Sequence, residues 1–331
     1  MPLFLSIAAE VTAGDPAQLA QVLAGVRRYQ QHKAVRALEP MPEVARIGSV
    51  CLRDYGGSGP TVVVIPSLIN PPYVLDLTDG NSFLRWLAMQ GVRPLLVDWG
   101  TPGADELELD LGGYISERLV PLIAGLETCP MLLGYCLGGT LALAAAAQVP
   151  VRKLVLLAAP WRFAGYGDDA RASMAALWAG IEPIAAALGS VPMELLQPAF
   201  WQLDPPALVA KYARLADADP AALTAFAALE DWANDGPPLP LGVAASLFEG
   251  LYAADLPGRG AWQVGGKRID PAALGIPVLD IVSTIDRIVP AAAAAGVGER
   301  LALDLGHVGM VVGGRARAQL WEPLAAWLRA A

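Results

Sequence analysis

The hydrophobic pattern of the chain alternates between short, wholly apolar runs and longer stretches with helical spacing. Thr61-Val62-Val63-Val64-Ile65-Pro66 is a continuous, β-branched run, which suits a strand buried on both faces of a parallel sheet. After a loop at Ser67 to Pro72, Asn81 to Gln90 reads as a helix and Arg93 to Asp98 as the next strand. Gly112 to Leu126 follows as helix, Met131 to Gly134 as strand, Thr140 to Gln148 as helix and Lys153 to Ala158 as strand. Alternation at this spacing predicts right-handed βαβ units and hence an α/β fold with a doubly wound, mostly parallel sheet.

Outside this block the pattern changes. Pro16 to Ala37 carries Leu19, Val22, Leu23, Val26 and Tyr29 at helical spacing, so it is expected to be an amphipathic helix. Glu43 to Tyr55 suggests an early strand, closed by the Gly56-Gly57-Ser58-Gly59-Pro60 turn. The alternation stops at Pro160, and from Trp161 to about Leu256 the chain is helical in pattern and broken by prolines. Strand-like sequence returns at Gly260 to Lys267, Ile276 to Ser283 and Arg300 to Leu305 complete the sheet, and Gln319 to Leu328 is a final helix. The expected organisation is an N-terminal helical segment (1–44), a core (45–160 and 257–331) and a helical cap insertion (161–256). Such an insertion lies over the strand ends and forms a substrate chamber. Most of its aromatics (among them Trp178, Phe200, Tyr212 and Trp232) should serve the cap's own core.

Composition narrows the classes of function. With 331 residues, 55% hydrophobic and 17% charged, the chain can bury a sizeable core. A net charge of -9 and the lack of any Lys/Arg run argue against a nucleic-acid partner. Three cysteines, Cys51, Cys129 and Cys136, are too few and too irregular for a disulfide framework or a zinc site, which points to a reducing compartment. Met1 to Ala9 is apolar but lacks the basic start of a signal peptide. No run reaches the roughly 18 uncharged apolar residues of a transmembrane segment. A cytoplasmic location is therefore expected.

The chemistry concentrates in Gly134-Tyr135-Cys136-Leu137-Gly138-Gly139-Thr140, a strand, a tight turn and the start of an alanine-rich helix. This has the form of a nucleophile elbow, in which small residues two before and two after the nucleophile avoid a clash across the turn. Gly134 and Gly138 occupy those places. A free cysteine is more often a small core hydrophobe, but the flanking glycines and the strand-turn-helix context favour Cys136 as nucleophile. The turn also aims the first helical N–H, that of Leu137, at a reacting carbonyl. A second oxyanion donor should come from the loop after the first buried strand, at Leu68 or Ile69.

A cysteine nucleophile needs a base, and histidine suits the task. Of the two histidines, His32 lies in the N-terminal helix and is expected at the surface, whereas His307 follows the last strand. That is where the α/β-hydrolase order places its base. The carboxylate should close the preceding strand, which favours Asp286 over Asp280, within the strand, and Asp304, close before His307.

The Gly134 to Thr140 box resembles the cysteine lipase-like box of polyhydroxyalkanoate synthases. Pro66 to Leu77, Leu96-Val97-Asp98-Trp99-Gly100, Leu229-Glu230-Asp231-Trp232, Asp286-Arg287-Ile288-Val289-Pro290 and Gly306-His307-Val308-Gly309 resemble the same family. The resemblance covers about residues 45 to 330 and is nearest to the short, class III-like synthases. It implies an α/β-hydrolase fold with Cys136, Asp286 and His307 as nucleophile, acid and base. It also implies acyl transfer from hydroxyacyl-coenzyme A, no cofactor beyond that thioester substrate, a polyester product, possible granule association, and a homodimer or a second synthase subunit as partner. A thioesterase or esterase on the same scaffold, and a non-catalytic granule-associated homologue, are the competing readings.

Overall fold

The computed structural model describes residues 2–32 and 38–330. Its centre is a sheet of eight strands, β1 (Glu43–Ile47), β2 (Val50–Asp54), β3 (Thr61–Ile65), β4 (Arg93–Asp98), β5 (Met131–Tyr135), β6 (Leu154–Leu157), β7 (Val278–Ser283) and β8 (Glu299–Leu303). They lie in the order β1-β2-β4-β3-β5-β6-β7-β8. The pairs β1/β2 and β2/β4 are antiparallel, and every other neighbouring pair is parallel. The expected doubly wound, mostly parallel sheet is present.

The β-branched run of β3 shows why such strands read as uninterrupted apolar sequence. Successive side chains point to opposite faces. Val63 and Ile65 enter one core layer with Tyr114, Ile115 and Leu119, while Val62 and Val64 enter the other with Phe83, Leu87 and Leu324. Helices cover both faces, so neither set can be polar.

Two local expectations are corrected. Glu43 to Tyr55 is a hairpin of β1 and β2 rather than one strand: Gly48, at φ +61°, reverses the chain at a positive φ that costs glycine little. The Gly260 to Lys267 segment does not enter the main sheet. Gln263–Val264 and Lys267–Arg268 form a separate two-stranded hairpin around Gly265 and Gly266, both at positive φ.

Between β6 and β7 lie the helices Asp168–Leu188, Met193–Trp201, Pro205–Leu215 and Pro220–Asn234, followed by helical residues 241–253. Asp-Pro pairs start two of them. Asp204 accepts from the Ala207 N–H at 3.1 Å and Asp219 from the Ala222 N–H at 2.8 Å, side-chain caps placed where proline needs no donor of its own.

The N-terminal helices Pro2–Val11 and Pro16–Gln31 dock on Pro205–Leu215. Phe4, Val22 and Val26 pack with Leu208, Val209 and Tyr212, and Arg28 donates to the carbonyls of Leu215, Ala216 and Ala218. A Cβ on Gly25 would stand 1.8 Å from the Tyr212 carbonyl oxygen, so the glycine lets two helix backbones meet. The helix ends at Gln31, and positions 33–37 of the expected Pro16 to Ala37 helix lie outside the described residues. His32, expected at the surface, is half-buried. It closes the helix by donating its backbone N–H to the Arg28 and Tyr29 carbonyls, and its buried Nε2 has no partner among the described residues.

Candidate active site

Cys136 occupies the turn between β5 and the helix Leu137–Ala146, with φ +57° and ψ -133°. A non-glycine residue there is strained, and such strain persists only where the surroundings over-determine it. The glycines supply that constraint. A Cβ on Gly134 would lie 2.4 Å from the Gly139 Cα, and one on Gly138 would lie 2.0 Å from the Ile65 carbonyl oxygen. Gly139, to which the sequence reading assigned no role, is needed as well, since its Cβ would meet that of Ala159 at 2.2 Å. The helix therefore starts directly against the ends of β3 and β6.

The parallel pairing of β7 and β8, in register at Ser283 and Leu303, carries their following loops to the same sheet edge as the elbow. The Ser283 hydroxyl, in β7, donates to the Leu305 carbonyl, in the loop that follows β8. Asp286 and His307 meet there: Nδ1 of His307 lies 2.6 Å from Oδ2 of Asp286. The other oxygen, Oδ1, accepts from the Ile288 and Val289 N–H groups at 2.7 and 3.0 Å, so the carboxylate is locked from both sides. Both residues are buried.

Burial alone would push the imidazole toward its neutral form. The charge of Cys136, the hydrogen bond to Asp286 and that to Cys136 outweigh it, and the His307 pKa is raised to about 10. Structure thus brings Cys136, His307 and Asp286 together. It does not bring in the other carboxylates. Asp280 is buried in β7 and accepts from the Gly296 N–H at 2.8 Å, while Asp304 is exposed and pairs with Arg315 at 2.9 Å. Tyr135 was missed by sequence reasoning. Its ring stacks on that of His307, 5.1 Å between centroids, and its hydroxyl donates to the His307 carbonyl at 3.2 Å. Its place immediately before Cys136 was the available signal.

Of the expected oxyanion donors, the Leu137 N–H is the first of its helix, where no intrahelical acceptor exists. Leu68 lies buried in the loop after β3. The Ile69 N–H is already spent, donating to the Ser67 hydroxyl at 3.1 Å because that side chain folds over its own turn.

Above Cys136 is a cavity of about 410 Å³ between the sheet edge and the cap. Phe200, Trp201, Trp232 and Tyr252 line it, whereas Trp178 stacks on Phe248 away from it and Phe226 packs on Tyr29 and Tyr212. Its charged groups are paired: Lys211 Nζ with Glu230 at 2.6 Å, and Arg287 with Asp204 at 2.5 Å, the latter joining the Asp286 loop to the cap. Among the described residues no helix is long and apolar enough to cross a membrane.

The strand order, the strained cysteine at the elbow and the histidine paired to a carboxylate on the neighbouring loop define an α/β-hydrolase fold. Solved structures agree on the fold: a putative non-heme bromoperoxidase of Mycobacterium tuberculosis (16% identity, TM-score 0.55, 90% of this chain and 100% of that one) and a monoacylglycerol lipase of Paleococcus ferrophilus (16%, 0.50, 84% and 98%). No family model matches the chain. In sequence it is similar to curated proteins named poly(3-hydroxyalkanoate) polymerase subunit PhaC. The Haloferax mediterranei protein is 28% identical over 285 residues, 80% of this chain and 58% of the relative. The Synechocystis protein is 29% identical over 290 residues, 81% and 77%, and the Thiocystis violacea protein 28% over 288 residues, 81% and 80%. This chain therefore spans little more than half the length of the Haloferax relative and about four fifths of the other two.

Proposed function

We propose that this chain is the catalytic part of a poly(3-hydroxyalkanoate) polymerase, an acyltransferase that builds polyester from 3-hydroxyacyl-coenzyme A through an acyl-cysteine on Cys136. The observation that carries the reading is the Cys136 elbow, opening into a mostly apolar chamber beside the His307–Asp286 pair, in a chain similar to polymerase subunits. The Cys136 sulfur attacks the thioester carbonyl. A new S–C bond forms, the bond to the coenzyme A sulfur breaks, and His307 passes the proton to the departing thiol. The Leu137 and Leu68 N–H groups hold the tetrahedral oxyanion.

In the second half-reaction the hydroxyl of another hydroxyacyl group attacks the acyl-cysteine. His307 takes its proton, the ester C–O bond forms, and the Cys136 sulfur leaves. Asp286 orients the imidazole and stabilises its charged form. Covered by the cap, the acyl group meets a bound alcohol rather than bulk water, and well-oriented groups reach effective molarities of about 10⁵ M or more, against about 55 M for water. The relatives are named as subunits, and we extend to this chain assembly as a homodimer or with a second subunit, at the surface of its polyester product.

Purified protein given 3-hydroxybutyryl-coenzyme A should release free thiol and form insoluble polyester or soluble oligomers. Cys136→Ala should abolish both while remaining folded, and iodoacetamide should label Cys136 first and Cys51 last, since burial pushes the Cys51 thiol up to about 11. Butyryl-coenzyme A, which lacks the hydroxyl, should acylate Cys136 and stall. Its sustained conversion to free butyrate would replace the polymerase reading with a thioesterase.

A further inference from the structure

The chamber that holds Cys136 and His307 is also lined by two phenols, Tyr166 and Tyr252, whose rings lie 5.0 Å apart between centroids. They come from distant segments, the 3₁₀ turn Phe163–Tyr166 after β6 and the helical residues Ser246–Ala253. Phe163, fully buried, packs on both, at 5.7 Å and 5.0 Å between ring centroids.

Each segment is pinned from outside the chamber. Asp255, buried and at φ +47°, accepts from the Phe163, Ala164 and Gly258 N–H groups at 2.8, 3.1 and 3.1 Å. Arg171 donates to the Tyr252 and Ala253 carbonyls at 2.8 and 2.6 Å. The strained, buried Asp255 and the Arg171 side chain thus fix the backbone of both segments.

The hydrogen inventory leaves one donor over. Two phenols bring two O–H groups, and at most one can be used between them. Whichever phenol donates within the pair, the O–H of the other has no acceptor among the described residues. Burial, with the charge of Cys136, keeps both phenols protonated, Tyr252 being pushed up to about 12. Elsewhere in the chamber Lys211 pairs with Glu230, Arg287 with Asp204, and the Asn70 amide donates to the carbonyls of Ala233 and Asp235. A buried donor without a partner is costly, and a ligand that offers an acceptor removes the cost.

We propose that the Tyr166–Tyr252 pair reads the hydroxyl group of the acyl chain carried on Cys136, with the phenol O–H that the pair leaves over donating to that hydroxyl's oxygen and the other phenol holding it in place. The inference rests on the acyl-cysteine reading above and adds to it a determinant of selectivity: a hydroxyacyl chain satisfies the phenol, whereas a plain acyl chain leaves it unpaired.

The test is single-turnover acylation of Cys136, followed by intact-protein mass spectrometry, with 3-hydroxybutyryl- and butyryl-coenzyme A on wild type, Tyr252→Phe and Tyr166→Phe. Wild type should favour the hydroxyacyl substrate. The variant that removes the donating O–H should lower the ratio of the two rates by about 10-fold, chiefly through the hydroxyacyl substrate, and the other variant by less, about 3-fold. General loosening of the wall would slow both substrates alike and leave the ratio unmoved. A ratio within 2-fold of wild type in both variants, with wild type still acylated, overturns the role of the pair and leaves the acyl-cysteine intact. If neither substrate acylates wild type at Cys136, the acyl-cysteine reading falls and this inference falls with it.

Discussion

Tyr135 and His307 are tied twice: their rings stack at 21° between planes, and the Tyr135 hydroxyl donates to the His307 carbonyl at 3.2 Å. The residue before Cys136 therefore fixes both the ring plane and the backbone of the proposed base. Removing only the hydroxyl separates the two effects. Tyr135→Phe should keep the stack and cost about 1 kcal/mol in urea unfolding, with a modest fall in acylation rate. Tyr135→Ala should cost about 3–5 kcal/mol and reduce acylation far more. Equal rates in the two variants would show that the ring does not orient His307.

Asp286→Asn should lower turnover by about 10²-fold or more by removing the carboxylate that holds Nδ1 of His307, and His307→Gln should be as damaging as loss of Cys136. Asp304→Asn, at an exposed pair, and His32→Gln should leave turnover near wild type. A greater loss in Asp304→Asn than in Asp286→Asn, with both folded, would reassign the acid.

The raised His307 pKa has a signed consequence for stability. The folded value is about 10 against an ordinary 6.5. The associated stabilisation is fully present below about pH 6.5 and is lost as the pH rises through about 10, because only the protonated ring gains from the charge beside it. Urea unfolding between these limits should show wild type losing stability faster with pH than His307→Gln. Parallel slopes would mean that the ring is neutral in the folded protein.

Gly139→Ala should destabilise by about 1–3 kcal/mol through overpacking against Ala159, and Ala159→Gly in the same chain should recover part of that loss. Gly138→Ala, whose clash is with the Ile65 carbonyl, should find no such rescue. Thermal unfolding of the single and double variants measures the coupling. Strict additivity would exclude the proposed contact.

What the sequence determined by itself was whatever depends on neighbours along the chain. The β-branched run of β3 announces a doubly covered strand, Gly134 and Gly138 announce a sharp turn around Cys136, and the order Cys136, Asp286, His307 follows from which strand each residue succeeds. Periodicity and turn chemistry act over a few residues, so they are legible there. Even at that range the Gly48 reversal was passed over, because a single glycine within a β-favouring stretch reads equally as a bulge or a turn. Contacts that join distant segments were decided only by the folded chain. These include the register that lays the Asp286 and His307 loops side by side, the Tyr135 ring on His307, the Ser67 hydroxyl that consumes the Ile69 N–H, the Ala159 contact that requires Gly139, and the meeting of Tyr166 with Tyr252. Which donors are spent and which remain free depends on where every other segment packs, and no local pattern carries that information.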